Sequence, residues 1–508
     1  MAPPKVKQDP EGVNFPKNAK GERSTTSFAK QVWGDAISKH DESLASAIVK
    51  EKDWRHKYPQ YVFKIGQASM ESVDACLEIA SNGLKSIHDS FEFVRQGQSM
   101  KLTEAMKQGA NANPVFSSGT IKGGGGLVKA LQLPLKNKCL EGQEVLEQVQ
   151  AWEKNGVVEP DVTSSIEELT KNSDWLDLDV AKTNKVFVLI GATSELCPFE
   201  SLLKMGATVV AIARPSKRLA RLVEFAKTTS GTLVLPVTTP QTAETSEAQL
   251  LECAGADVLT QTPELAQYLT SVFPGKQLVI GNYIYLDGEA HVRASVAMDA
   301  ILQEVCSARK DTFLAYLGTP SIAYPFPKAA YDDALARGKS APWWHGPVSV
   351  LTWGLKSVKG VHKPIEKYPE YMMINAFSVV QGPNYALAKT MQNWRCCVAR
   401  AAGHGVSVNI TPVAKTVSVM HVSTVAKAMN GISAFDPLIA FEPDTASKLM
   451  ANLLVYDVSS PNAPALPTSS LPHPMLLLAT GGAHSGFWRC PYTFDSLETA
   501  SYLFGLMK

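Results

Sequence analysis

The sequence contains no run of ~18 apolar residues, the length a bilayer-crossing helix needs, so no membrane span is expected. It also lacks net charge: 49 basic residues against 48 acidic ones leave a formal +1. Without a global field to gather DNA, RNA or an acidic membrane surface, nucleic-acid binding is not expected. The eight cysteines include no C-x-x-C pair, and the adjacent Cys396 and Cys397 suit neither an ordinary disulfide nor paired zinc ligation. A reduced, cytoplasmic setting is the expectation. His345, His362 and His404 lack ligand spacing on any one element, so no metal site is expected. The opening residues have no apolar core of the kind a secretory signal carries, and the closing Gly-Leu-Met-Lys508 is no retention or peroxisomal signal. After Gly123 to Gly126 no Gly-Lys-Ser/Thr follows, which excludes a Walker loop. Those glycines read as a backbone nest for phosphate or, by preference, as a flexible connector.

What is present is enough chain, 508 residues at 45% hydrophobic and 19% charged, for a sizeable core and about two to four folding units. Residues 1–25 are rich in Pro, Lys and polar groups and read as an arm that orders only on a surface. Residues 26–180 read as a helical region. Ser69 is placed as the cap of an amphipathic helix, another helix is expected over 143–154 with Gly156 ending it, and Ser164-Ser-Ile-Glu167 reads as a capping box.

The pattern changes at Lys185. Short, apolar, β-branched runs at 186–190, 208–213, 233–237, 277–280 and 312–317 are separated by helical or polar text. Runs of this kind are strands buried on both faces. Their alternation with helices predicts an α/β fold with a doubly wound parallel sheet, Rossmann-like, over residues 181–440, with an insertion near 322–370. Residues 441–508 read as a helix, a Pro- and Ser-rich strap and an apolar tail.

Three features carry chemistry. The first strand ends at Gly191, where a glycine lets the backbone turn sharply toward a pyrophosphate, with Thr193 and Ser194 as hydroxyl donors. Arg214 follows the second strand, with Lys217 and Arg218 close behind. An acidic residue there would favour NAD, whereas a guanidinium can fork onto a 2′-phosphate, which points to NADP; a solvated basic loop is the equal alternative. Tyr385-Ala-Leu-Ala-Lys389 opens a long helical stretch, and positions four apart share one helical face. An ammonium beside a phenol lowers its pKa, so the pair can pass a proton to a carbonyl. A second match, Tyr324-Pro-Phe-Pro-Lys328, contains two prolines that forbid a helix interior, so it reads as a decoy.

Together these segments resemble the short-chain dehydrogenase/reductase family over roughly residues 185–416. The most specific stretch runs from Ile374 through Ser378, Tyr385 and Lys389 to Gly405-Val-Ser-Val-Asn-Ile-Thr-Pro412, similar to that family's serine strand, Tyr-x-x-x-Lys helix and following strand. The resemblance implies Tyr385 as acid/base, Lys389 as the group that binds the nicotinamide ribose and depresses the tyrosine pKa, and Ser378 as the residue orienting the substrate carbonyl. Ser321 is the rival serine; with it, Trp343, Trp344 and Trp353 fall in an aromatic insertion able to roof a pocket. Asn282 and Thr416 fall where the family carries an Asn motif and a nicotinamide-contacting threonine. The family's turn has glycines where this chain has Glu195 and Cys197, and a carboxylate there repels a pyrophosphate. The expected activity is NADP-linked oxidoreduction of a small-molecule carbonyl/alcohol pair. The alternative is a non-catalytic relative kept as an interaction scaffold. A homodimer through the tyrosine-bearing helix is implied by the likeness, unless the N-terminal helices block that face.

Overall fold

A computed structural model describes residues 9–18, 20–351, 354–378 and 380–507. Toward the N-terminus the chain forms α1 (Thr25–Ile37), α2 (Trp54–Ser69) and α3 (Val73–Ser90), among other helices. Ser24 caps α1 by accepting from the Ser27 amide, and Ser72 caps α3 by accepting from Ala75. The cap is therefore Ser72 and not Ser69, which ends α2 as a buried residue bonded to the Ile65 carbonyl at 2.9 Å. The helix over Gln143–Lys154 lies where its periodicity places it, and Gly156 follows at φ 77°. Ser164 lies inside the helix Pro160–Lys171, whose start is set by Pro160 in its first turn.

The central sheet is mixed only at one edge. Its strands are β1 (Ser117–Lys122), β2 (Lys185–Ile190), β3 (Thr208–Ile212), β4 (Thr232–Val237), β5 (Gln277–Asn282), β6 (Phe313–Gly318) and β7 (Gly405–Ile410). Seven strands lie in the order β7-β6-β5-β2-β3-β4-β1, all parallel except β1, which is antiparallel to β4. The period of two along a strand divides β2 between two cores: Val186, Val188 and Ile190 face one, Phe187 and Leu189 the other. Burial on both faces explains why these runs are continuous in apolar residues rather than alternating. Helices α4 (Gly288–Ala308) and α5 (Gly382–Ala401) cover one face. The helices Lys217–Lys227 and Pro443–Ser459 cover the other. The order of strands reverses between β2 and β5, so loops leaving their C-terminal ends diverge there.

Several expectations about the flanking regions are corrected. Residues 9–18 are held by the chain itself: Gly12–Asn14 pairs with Glu92–Arg95, and Arg293 on α4 donates to the Val13 carbonyl at 2.6 Å. The region 26–180 is not purely helical, because it supplies β1 to the central sheet and a hairpin of Gln132–Leu135 with Lys138–Glu141. The glycine tract is neither a phosphate nest nor a loose connector. The amides of Gly123, Gly124 and Gly125 donate to the carbonyls of Gly231, Lys227 and Thr229, and a β-carbon at Gly123 or Gly125 would strike a carbonyl oxygen. In the insertion, Trp344 packs edge-on against Phe504 and tilted against Phe435, while Trp343 is exposed. Trp344 thus joins the C-terminal helix rather than roofing a pocket; Trp353 lies outside the described residues. Tyr324 precedes a short strand and Lys328, paired to Asp332 at 2.6 Å, begins a helix, so this second Tyr–Lys match shares no helical face. The Pro-rich strap is tied down by Arg400, which donates to the carbonyls of Pro464 and Ser469.

The N-terminal helices occupy the face of α5 through which a dimer was implied. Trp394 of α5 meets Trp33 of α1 edge-on at 5.3 Å, and its indole lies over Gly83 of α3, where a β-carbon would overlap the ring. The surface of α5 around Trp394 is therefore covered by the chain's own helices. Gly83→Val is expected to cost about 1–3 kcal/mol of stability by overpacking, read as a lower denaturation midpoint; an unchanged midpoint would show that this contact is loose.

Candidate functional site at the C-terminal edge of the sheet

At the end of β6 the chain turns through Thr319 and Ser321, both buried. Their hydroxyls lie 2.9 Å apart, and Ser321 donates to the Gln381 side-chain oxygen at 2.7 Å. Gln381 is the residue before α5, so this bond joins the strand end to the helix that carries Tyr385 and Lys389. The Tyr385 phenol is half-buried, near enough to the Thr319 and Ser321 hydroxyls for both to act against the rise in its pKa. Ser321, not Ser378, therefore shares the site with Tyr385. Ser378 donates to Glu498 of the C-terminal helix, and its carbonyl accepts from the Tyr58 hydroxyl at 3.3 Å. Lying only seven residues before Tyr385, it is carried away with the loop that precedes α5.

Lys389 lies one turn along α5, with its ammonium 6.0 Å from the Tyr385 ring centre. It donates to the Leu317 carbonyl at 3.0 Å and to Gln392 at 3.2 Å. Burial brings its pKa down to about 8. The expected depression of the tyrosine pKa is reversed. Burial pushes the Tyr385 phenol up to about 12, the Tyr285 phenol adds to the rise, and the hydroxyls of Thr319 and Ser321 only partly oppose it.

His291, in the first turn of α4, was not singled out by sequence reasoning. Its ring stacks on Tyr385 at 5.8 Å and 17°, and Tyr285 packs tilted against it at 5.1 Å. Its Nδ1 accepts from the Leu286 amide at 3.5 Å, while its buried Nε2 has no partner among the described residues. Burial, aided by the Lys389 charge, pushes its pKa down to about 3, so the ring stays neutral. Nothing in the local sequence marks this histidine; only the topology brings it to Tyr385.

The crevice between β2 and β5 is narrower than the turn sequence suggests. Gly191 takes φ 87° and backs directly onto the Tyr283 and Ile284 backbone. The Tyr283 amide donates to the Ile190 carbonyl at 2.9 Å, and Asn282 uses its side-chain oxygen to hold the Ile284 amide at 3.2 Å. Four amides of the turn, those of residues 191, 192, 194 and 197, already donate within the protein. Thr193 and Ser194 are half-buried on this turn. Glu195 reaches across the crevice, its carboxylate accepting from the Val417 amide at 2.8 Å. Thr416, just before, bonds to the Ser418 hydroxyl at 3.0 Å. Arg214 is exposed beyond β3, and no hydrogen bond or ion pair holds it among the described residues.

Among the described residues no group of three or more His, Cys, Asp or Glu side chains could hold a metal, and no helix is long and apolar enough to cross a membrane. His404, His345 and His362 instead bond to the Thr312 carbonyl, the Tyr492 hydroxyl and the Asn375 amide. No family model, curated protein or solved structure matches the chain.

Proposed function

We propose that this chain is a carbonyl–alcohol oxidoreductase on a Rossmann-like, doubly wound scaffold similar to the short-chain dehydrogenases/reductases, with NADP as the cofactor in preference to NAD. The observation that carries the reading is the assembly of Ser321, Tyr385 and Lys389 beyond one strand end, from segments distant in sequence. Tyr385 gives its proton to the carbonyl oxygen of the substrate as the acid. Ser321 and Thr319 orient that oxygen and stabilise the phenolate left behind, as donors to the charged form do. Lys389 places a cation one helical turn from the phenol.

The reduced form, NADPH, would supply the hydride when bound. Arg214 suits its 2′-phosphate, Thr193 and Ser194 its pyrophosphate, and Thr416 with Lys389 its nicotinamide end. The turn misfits at two points, the backbone closure at Gly191 and the carboxylate of Glu195. Its exposed bond to the Val417 amide contributes about 1 kcal/mol, the scale of an exposed charge against backbone amides, which binding energy readily overcomes. The donor set therefore fits once that contact opens, at a cost in affinity. Titration with NADPH, followed by nicotinamide fluorescence, is expected to show binding that Glu195→Ala tightens about tenfold by removing both the contact and the charge repulsion. Absence of binding at millimolar cofactor in both proteins would end this reading. It would leave the non-catalytic scaffold, which the Glu195–Val417 bridge and the backbone closure at Gly191 favour.

A further inference from the structure

The edge strand β7 turns Val406, Val408 and Ile410 into the core beneath α5, so its period of two sends Ser407 and Asn409 to the opposite face. There the helix Pro443–Ser459 presents Asp457, a buried carboxyl whose Oδ2 accepts from the Ser407 hydroxyl at 2.6 Å and from the Asn409 amide at 2.7 Å. The tail segment 481–486 runs along this edge. The Ile410 amide donates to the Gly481 carbonyl at 2.9 Å, and the Ala483 amide donates to the Ile410 carbonyl at 3.2 Å. Residues at the start of the helix Pro160–Lys171 hold the same segment. The Glu159 amide donates to the Gly482 carbonyl at 3.0 Å, and the Asp161 carboxyl accepts from the Gly481 amide at 2.6 Å.

Two carboxyls thus meet at Gly481. Asp161 bonds its amide directly. Asp457 reaches it through Asn409, whose side-chain oxygen a β-carbon on Gly481 would overlap. Asp161 Oδ1 is sealed from solvent and has no hydrogen-bond partner among the described residues. A buried carboxyl oxygen without a donor opposes ionisation. Burial raises Asp457 to about 7, the donors on β7 only partly oppose it, and the charge of Asp161 adds to the rise. Burial likewise raises Asp161 to about 6, against the Gly481 amide and with Glu159 adding to it. The nearby cations are committed elsewhere: Arg489 and His484 of the tail both bond to Glu159, at 2.7 and 2.9 Å. The other titratable groups on the surrounding elements are Tyr371, Tyr456, Glu168 bonded to the Ser460 hydroxyl at 3.0 Å, the exposed Asp174, and the exposed Glu200 paired with Lys448.

We propose that Asp161 and Asp457 form a pH-sensitive clasp for the tail, firmest on the edge strand when both are protonated and weakest when both are ionised. Two like charges confined around one glycine repel strongly, whereas opening returns both to water. An acid raised on closing binds its proton more tightly closed than open. The clasp therefore weakens as pH climbs from ~3.9, the ordinary carboxyl value, and levels off above about 7. His484, lowered by burial, works in the opposite sense and favours opening in acid; a variant of Asp457 separates the two. The tail runs on into the helix Phe494–Gly505, whose Glu498 accepts from Ser378, so release extends to the loop ahead of α5. None of this depends on the reaction at Tyr385.

The test is hydrogen–deuterium exchange on the full chain, corrected for the intrinsic pH dependence of exchange and read on peptides covering 405–413 and 480–490. Relative to Asp457→Asn, protection in the parent is expected to fall about tenfold or more between about pH 5 and about pH 8, the consequence of one carboxyl titrating there in the closed state. Asp161→Asn should change the profile in the same sense, and it answers the question if Asp457→Asn fails to fold. Asp444→Asn, at the exposed start of the Asp457 helix, should follow the parent. Peptides from 494–505 should loosen in step with the tail. A parent and Asp457→Asn with the same pH profile overturn the clasp. Helix peptides that keep their protection while the tail loses it overturn its reach to the Ser378 loop.

Discussion

Tyr385→Phe is expected to lower carbonyl reduction by about 10²- to 10⁴-fold, the usual contribution of a positioned general acid, while NADPH binding is retained. The phenol hydroxyl is what the change removes; the ring that stacks on His291 stays. Ser321→Ala should lower turnover in the same assay, and Ser378→Ala should not, because Ser378 bonds to Glu498 and lies away from the phenol. The pH dependence follows from the environment. Burial raises the phenol to about 12, so the acid form that reduction needs is fully present through neutral pH. Oxidation needs the phenolate, whose population rises about tenfold per pH unit below that value. On the proposed function, the site favours reduction near neutrality. Lys389, lowered to about 8 by burial, loses its charge as pH rises past that point, before the phenol ionises. A pH–rate profile for reduction should be flat below about 8 and fall above it. A basic limb near neutral pH in the oxidative direction would contradict the buried, unassisted phenol.

The strands were legible because burial on both faces leaves a simple mark, a short β-branched run closed by Gly, as in Val186-Phe-Val-Leu-Ile190. Each of β2 to β6 falls within a residue or two of the segment read from that mark. The Tyr385–Lys389 pair was legible for a similar reason: helical periodicity is local. What was not legible depended on contacts between distant segments. Ser378 was favoured over Ser321 because its stretch resembles the family's serine strand, but a serine's role is set by where its strand ends. His291 has no local signature, and it reaches Tyr385 only because α4 and α5 pack side by side. The sign of the tyrosine shift was missed because spacing reports the cation but not the desolvation. The meeting of two carboxyls at Gly481 was also invisible, since nothing in a linear chain says that Asp161, Asn409, Asp457 and Gly481 converge. Glycine was overread: at Gly191 and in the tract at 123–125 it lets the protein's own backbone approach, not a ligand.

The largest stability effect is expected from Asp299→Ala. Asp299, on α4, takes two hydrogen bonds of 2.7 Å from Arg395 of α5 and a third, also 2.7 Å, from His88 of α3. All three side chains are buried. Burial alone would raise this carboxyl's pKa, but the Arg395 guanidinium and the His88 contact more than reverse that and hold it well below the usual carboxylate range. Removing one partner leaves a charged guanidinium without its counter-ion inside the core, a loss of about 3–5 kcal/mol, against a total of about 5–15 kcal/mol for a folded domain. Replacing Asp299 and Arg395 together by apolar residues should cost much less, since no charge is then left unpaired. The pH dependence has a definite sign. A carboxyl lowered on folding adds stability that is complete above its unfolded value of ~3.9 and fades as pH falls below it. The gap between parent and variant in denaturant unfolding should therefore be widest at neutral pH and shrink in acid. A gap that does not change with pH would mean that Asp299 acts through packing alone. The same triad bears on the site, because α5 carries Tyr385 and Lys389, and α4 carries His291. Loosening the clamp should lower turnover even where the protein remains folded, and the double apolar replacement should restore it.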